Sequence, residues 1–305
     1  MKICGNLTAH VSGVRVSSSK GKEEKPMTVA VACNLAEGVV LGVDSAVTLT
    51  NQQGEVVKTY EHAAKLFQLG DKPVGIATYG SAAFGNRIVG SYVREFETKD
   101  PAHVVTVDTT MREIVEQLRL FFLDEYRRTV IPETEARTGK KYKDIPMRDI
   151  PFFGFAVGGF SAKKYLSEVW EIRIPFDETP YSAKLWSAEG DFRPVWFSLN
   201  EPIVRYQLGY DRNLIAELKQ YFAQLRGSPL TNTEETAITT ILNRHEYQIP
   251  FNGMPMGEGI AYVKFVVGMV INHYRFALGA PVVGGKVQIG LVTYKGEKFE
   301  ILEGE

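Results

Sequence analysis

Two short apolar runs constrain the fold of this chain more than any other feature of its sequence. Residues 27–33 and residues 38–44 are dominated by Val, Ala, Cys and Leu, and a short turn of polar and small residues separates them. Apolar runs of this length without polar alternation indicate strands that are buried on both faces. The pattern predicts a core hairpin in which Thr28 starts the first strand and Asp44 ends the second.

Composition excludes several classes of function. The 305 residues include 35 Lys and Arg against 36 Asp and Glu, so no broad positive field predicts nucleic-acid binding and no basic block predicts a membrane surface. The two cysteines, Cys4 and Cys33, do not suggest a disulfide framework, and we expect a cytoplasmic protein. No pair of histidines has a metal-ligand spacing, and no phosphate-binding loop is present, so no metal or cofactor is expected.

The first 27 residues differ in character from the rest. They are polar, and residues 17–25 form a low-complexity run of Ser, Lys, Gly and Glu that has too few apolar side chains to order itself. We expect either a removable leader or sequence upstream of a true start at Met27, and both would leave Thr28 as the first residue. The alternative is a disordered tail that is retained, which would leave Thr28 without a free amine. Residues 28–305 are expected to form one domain, with an extra segment at about 188–230.

The remaining periodicity predicts a mixed architecture. Strands are expected near 65–69, 74–78, 152–157, 168–174 and 181–186, with a final hairpin of 286–294 and 298–302. Helices are expected near 88–96, 109–129, 212–225, 233–247 and 257–278. Residues 133–149 are expected to form a charged loop. Since strands and helices come in separate groups without βαβ alternation, an α+β fold with helices packed on stacked antiparallel sheets is predicted.

An ordered set of motifs resembles the proteasome β-type subunits and their bacterial proteasome-like relatives, which are N-terminal nucleophile hydrolases. The set consists of Thr28, Gly-Val-Val-Leu at 38–41, Asp44, Lys65 before two apolar residues, and a strand ending in Gly80. The resemblance implies a four-layer αββα sandwich, a homo-oligomeric ring or related assembly, and a threonine peptidase acting on peptides or proteins. It leaves room for an ATP-dependent unfoldase as a partner.

Site roles also follow from the resemblance. Thr28 would be the nucleophile and its free α-amine, with a reference pKa of about 8, the base. Asp44 would hold the Lys65 cation, and the Gly80 N–H would stabilise the oxyanion. Thr78 and Val47, with Ala63 and Ala82, would line the substrate pocket. From the residues alone, Asp44 and Lys65 could equally form a structural ion pair.

Two departures from the family pattern keep other functions open. The expected Gly-Ser-Gly loop is absent, and Ser187 or Glu189 is the nearest substitute for its Ser. Neither Asp nor Ser directly precedes Gly284 and Gly285, where the family has both. The alternatives are a non-catalytic proteasome-like ring subunit and a hydrolase of small amides on the same scaffold.

Overall fold

The computed structural model describes residues 28–50, 56–70, 72–85, 87–99, 108–146, 149–175, 183–277, 283–294 and 300–302. The expected leader at 1–27, Cys4 and the turn predicted within 51–54 lie outside these ranges.

Two five-stranded antiparallel sheets form the centre of the molecule, and the predicted hairpin lies in the first of them. Sheet 1 contains β1 (Val29–Leu35), β2 (Gly38–Asp44), β12 (Pro194–Ser198), β13 (Val287–Thr293) and β14 (Glu300–Leu302), in the order β12-β1-β2-β13-β14. Sheet 2 contains β5 (Leu66–Gln68), β6 (Val74–Gly80), β9 (Phe153–Phe160), β10 (Ser167–Ile174) and β11 (Lys184–Ser187), in the order β11-β10-β9-β6-β5. Two small ribbons stand beside the sheets: β3 (Val47–Thr50) with β4 (Val56–Tyr60), and β7 (Ala83–Phe84) with β8 (Arg87–Ile88).

The helices follow the predicted periods, with two additions that the sequence did not predict, at 131–138 and 201–208. They are α1 (Val89–Lys99), α2 (Met111–Glu125), α3 (Ile131–Thr138), α4 (Glu201–Leu208), α5 (Arg212–Arg226), α6 (Asn232–Asn243) and α7 (Met256–Phe276). A π-helical turn, Tyr126–Val130, connects α2 to α3. The charged loop expected from residue 133 is therefore wrong at its start. The helix continues because Pro132 suits a first turn, and it ends where Gly139 takes a left-handed φ of 67°.

Three apolar clusters hold these elements together. The first joins one face of sheet 2 to α1 and α2 and is rich in Phe, including Phe84, Phe122 and Phe155. The second joins sheet 1 to α4 and α7 through Val263, Val267 and other aliphatic side chains. The third contains side chains of both sheets, such as Leu41 of β2 and Ala77 of β6. The fold is thus mixed α+β, as the sequence predicts. Within the described ranges, no helix is long and apolar enough to cross a bilayer.

Candidate active site

Thr28, Lys65 and Asp44 meet at one end of the two sheets. The Lys65 Nζ lies 2.9 Å from Thr28 Oγ1 and 3.0 Å from Asp44 Oδ1. Thr28 directly precedes β1, Asp44 ends the neighbouring β2, and Lys65 directly precedes β5 of the other sheet. The cation therefore bridges the two sheets and contacts both the hydroxyl and the carboxylate.

The Asp44 carboxylate is completely buried and is surrounded by donors. Besides Lys65, its oxygens accept N–H bonds from Val29 at 3.3 Å, from Ala46 at 3.2 Å and from Gly284 at 3.3 Å. These donors come from β1, from the end of β2 and from the segment before β13. The carboxylate is thus fixed by the backbone of three segments, and this fixes the position of Lys65 in turn.

Burial shifts the pKa values of the two partners of the ion pair in opposite directions. Desolvation raises the pKa of Asp44, and the charge of Lys65 with the N–H donors of Gly284 and Ala46 opposes that rise. Desolvation likewise lowers the pKa of Lys65, and Asp44 opposes that fall. Each ion therefore depends on the other to remain charged away from water.

The backbone of Lys65 is held on both sides. Its carbonyl accepts the Thr78 N–H at 2.9 Å and the Thr78 hydroxyl at 3.3 Å. Its N–H donates to Gln288 Oε1 at 3.1 Å, and Gln288 Nε2 donates to the Ala63 carbonyl at 3.0 Å. Thr78, expected only in the pocket wall, also fixes the lysine, and Gln288 of β13 was not expected from the sequence at all.

A cavity of about 570 Å³ opens beside the three residues. Thr28, Lys65, Thr78 and Gly80 line it, as do the expected wall residues Val47, Ala63 and Ala82. Much of the wall is apolar, and the volume suits a small organic ligand. The Thr48 hydroxyl oxygen is buried in the same wall and has no hydrogen-bond partner within the described part of the chain.

The backbone of Gly80 is oriented for a donor role. The Thr78 N–H points to the β5 edge of sheet 2, and N–H groups two residues apart along a strand point to the same edge. The Gly80 N–H therefore faces this edge too, which borders the cavity. Gly80 has a φ of 86°, and a Cβ here would lie 2.5 Å from the Phe152 carbonyl oxygen, so only glycine fits.

Ser198 is a further residue that sequence reasoning missed. It lies opposite Val29 where β12 pairs with β1, and the next N–H, of Leu199, donates to the Thr28 carbonyl at 3.3 Å. Its φ of 58° is left-handed, and its buried hydroxyl oxygen has no partner among the described residues. Strained backbone of this kind is concentrated at functional sites. No sequence signal marks this position, because Gly or Asn, and not Ser, usually adopts a left-handed φ.

The structure does not bring Ser187 or Glu189 to Thr28. The Ser187 hydroxyl accepts from Asn34 Nδ2 at 2.8 Å, and Asn34 lies near the far end of β1, about 20 Å from Thr28 at the rise of a strand. Glu189 pairs with Lys164 at 3.2 Å. Position along the chain suggested Ser187 and Glu189. The residues beside Thr28 are instead determined by strand pairing, which places β12 next to β1.

In the ranges that the structure covers, no group of three His, Cys, Asp or Glu side chains could hold a metal ion.

Comparison of the whole fold finds similar solved structures among Anbu proteins. Two similar structures are Anbu, an ancestral beta-subunit, from Yersinia bercovieri and a Gly-1 mutant of Anbu from Hyphomicrobium sp. strain MC1. The first is 13% identical with a TM-score of 0.51, covering 90% of this chain and 86% of that chain. The second is 13% identical with a TM-score of 0.50, covering 91% of this chain and 86% of that chain. No protein-family model and no curated protein sequence matches the chain.

These comparisons correct the resemblance drawn from the sequence. The expected likeness to proteasome β-type subunits and their bacterial relatives is wrong in that form, since the structural neighbours are Anbu proteins, a proteasome-like but distinct family. The motifs that suggested the likeness are a buried hairpin, an ion pair and a strand-ending glycine. These motifs lie within residues 28–80, whereas the structural comparison covers 90% of the chain.

Proposed function

We propose that this chain is an N-terminal nucleophile hydrolase of amide bonds, with Thr28 as the nucleophile once residues 1–27 are gone. The observation that carries the proposal is the Lys65 ammonium between Thr28 Oγ1, at 2.9 Å, and Asp44 Oδ1, at 3.0 Å, beside a cavity of about 570 Å³. We further interpret the two sheets and the helices on their outer faces as the four-layer αββα sandwich of such enzymes.

The reaction would begin with proton transfer from the Thr28 hydroxyl to its own α-amine. The oxygen would attack the amide carbonyl while Lys65 stabilises the developing alkoxide, and the Gly80 N–H would bind the oxyanion. The leaving amine would take the proton, which leaves an ester on Thr28. Water activated by the same α-amine would then hydrolyse that ester.

Ser198 supports the orientation of the amine in this scheme. The amine of Thr28 would lie next to Val29, the residue opposite Ser198. The buried Ser198 hydroxyl, which has no other hydrogen-bond partner among the described residues, would accept a hydrogen bond from this amine. This assigns to Ser198 the role first considered for Ser187 and Glu189.

A small amide or short peptide is a better substrate class than a protein. The comparisons support a proteasome-like relative in general, and nothing in the cavity is specific for a long polypeptide. The assembly into a ring, an unfoldase partner and a cytoplasmic location stay predictions. No nucleic-acid or membrane partner is proposed.

The second candidate is a non-catalytic subunit of a proteasome-like assembly. This candidate requires only the fold, and the likeness to the Anbu structures supports the fold without supporting any chemistry. The buried Lys65–Asp44 pair would then be structural.

Terminal sequencing and intact mass of the protein purified from its native cells test the proposal. We expect a chain that begins at Thr28 and that forms a mass adduct with a β-lactone, which acylates nucleophilic hydroxyls. Thr28→Ala, produced with the same terminus, is the control and should form no adduct. A native chain that retains residues 1–27 and does not react would favour the non-catalytic candidate.

A further inference from the structure

We propose that Gln288 is a positioning residue that keeps the Lys65 ammonium in register with Thr28; the inference rests on the proposed function. Gln288 lies on β13 in sheet 1, whereas Lys65 directly precedes β5 in sheet 2. The side chain therefore spans the gap between the two sheets at the site.

The side-chain amide of Gln288 forms the hydrogen bonds that a neighbouring strand would otherwise form with the segment before β5. β5 is the edge strand of sheet 2, so the segment before it has a partner strand on one side only. On the other side, the amide of Gln288 accepts from the Lys65 N–H at 3.1 Å and donates to the Ala63 carbonyl at 3.0 Å. A primary amide has the same donor and acceptor as a peptide group, so it continues the ladder where the chain provides no strand.

The register of sheet 1 links this clamp to the carboxylate. Val287 lies opposite Asp44 and Gln288 lies opposite Val43. Gln288, which binds the Lys65 backbone, therefore directly follows Val287, which lies opposite Asp44. A displacement of β5 relative to sheet 1 would move the ammonium away from both Thr28 and Asp44.

Three more contacts tie the same segments together. The Ala63 N–H donates to the Ser45 carbonyl at 2.9 Å, the Ser45 hydroxyl donates to the Glu61 carbonyl, and the Lys286 N–H donates to Ser45 Oγ at 2.8 Å. These contacts hold residues 61–63 but not the Lys65 N–H itself. Gln288 alone among these groups acts on the lysine directly, which makes it a positioning residue and not only a structural one.

The test replaces Gln288 by methionine, which has a similar length and no amide. In a chain that begins at Thr28, acylation by an aliphatic β-lactone gives a maximal rate and a half-saturating concentration. We expect Gln288→Met to lower the maximal rate about 10²-fold, the usual effect of a misplaced catalytic group, and to leave the half-saturating concentration unchanged. Gln288→Glu retains the acceptor and loses the donor, so an intermediate rate is expected.

The matched control is Gln207→Met. Gln207 lies on α4, away from the cavity, and its Nε2 donates to the Tyr247 carbonyl at 2.6 Å. This variant should therefore lose stability without a change in the maximal rate of acylation. Equal rates in wild type and Gln288→Met would overturn the inference.

A second readout separates failure of this inference from failure of the proposed function. The 13Cε chemical shift of Lys65 in folded protein reports whether its ammonium remains in the buried pair, with or without catalysis. If even wild type forms no adduct, the proposed function fails, and a shift of this signal in Gln288→Met but not in Gln207→Met still supports the clamp. An unchanged signal in both variants would overturn it.

Discussion

At the scale of single residues, the ion pair of Lys65 and Asp44 lies at the centre of the site. Its atoms are 3.0 Å apart, and the side chains are 6% and 0% exposed. Removing either ion would be costly, because the other would stay buried without a counterion. Energetics and chemistry therefore depend on the same contact.

The first prediction concerns the stability of this pair. Lys65→Met should lower the free energy of unfolding by about 3–5 kcal/mol, because the Asp44 charge would remain buried without its counterion. The double variant Lys65→Met with Asp44→Asn removes both charges and should recover much of that loss. Urea denaturation measures both. A double variant that is less stable than the single one would contradict the account.

Lys65→Met should also abolish acylation of Thr28 under conditions where the protein is folded. The folded state is verified by circular dichroism before the β-lactone is added. Retained reactivity would remove Lys65 from the catalytic assignment and leave the pair as a structural feature.

Cys33 gives a prediction of pH dependence. Burial raises the pKa of this thiol from 9.0 to about 12. Above pH 9 the unfolded chain loses the proton that the folded chain keeps, so the stability that Cys33 contributes is present below pH 9 and is lost as pH rises towards 12.

The measurement compares wild type with Cys33→Ala by urea denaturation at pH 7.5 and between pH 9 and 10.5. The stability advantage of wild type should shrink by at most about 1.4 kcal/mol per pH unit, while all other groups cancel in the difference. An advantage that stays constant across this range would show that the thiol ionises equally in both states.

At the scale of elements, the contact between β2 and α7 determines how closely a helix lies on sheet 1. A Cβ on Gly42 would lie 2.2 Å from Val263 Cγ1 of α7. Glycine at this position thus allows the helix to approach the strand that ends in Asp44. Gly259 of α7 acts in the same way from the helix, since a Cβ there would lie 2.3 Å from Leu35 Cδ1.

The corresponding prediction uses two glycines with opposite surroundings. Gly42→Ala should destabilise the fold by about 1–3 kcal/mol through overpacking. Gly268→Ala on α7, where a Cβ would meet nothing within 4 Å, should stabilise it by up to about 1 kcal/mol through helix propensity. Thermal unfolding of the two variants checks the contrast. Equal effects would mean that α7 does not pack on β2 at this distance.

At the scale of the whole molecule, α5 and α6 form a helical arm that adds little to the core. Neither helix has a buried residue among those whose burial is described. Lys219 pairs with Glu235 at 2.6 Å, and Arg226 pairs with Glu234, so the two helices bind each other. The extra segment expected at about 188–230 contains α5 but stops before α6, and neither helix lines the cavity.

Deletion of the arm is therefore predicted to be tolerated. Replacing residues 212–243 by a short Gly-Ser link should leave the unfolding temperature within a few degrees and the reactivity of Thr28 unchanged. Tyr210 OH lies 3.4 Å from Asn243 Oδ1, so the ends to be joined are close. Ile203→Asp, a charge at a fully buried position of α4, is the control that should unfold the protein. Loss of folding on deletion would assign the arm to the core.

Residues close together in sequence, or marked by a strong period, could be predicted from the sequence. The hairpin of β1 and β2, the helices α1, α2 and α7, and the mixed α+β class follow from runs and periods of apolar residues. The assignment to proteasome β-type subunits was wrong, since the similar structures are Anbu proteins. The catalytic roles of Thr28, Asp44, Lys65 and Gly80 stay predictions.

The sequence by itself determined which residues form the hairpin, because the burial of Val, Ala and Leu on both faces is a local property of each strand. It also put a Thr and an Asp at the ends of neighbouring strands. Only the tertiary structure decided which distant groups surround them. Ser198 and Gln288 reach the site through pairing of β12 with β1 and of β13 with β2, and strand pairing over more than 150 residues leaves no local pattern in the sequence.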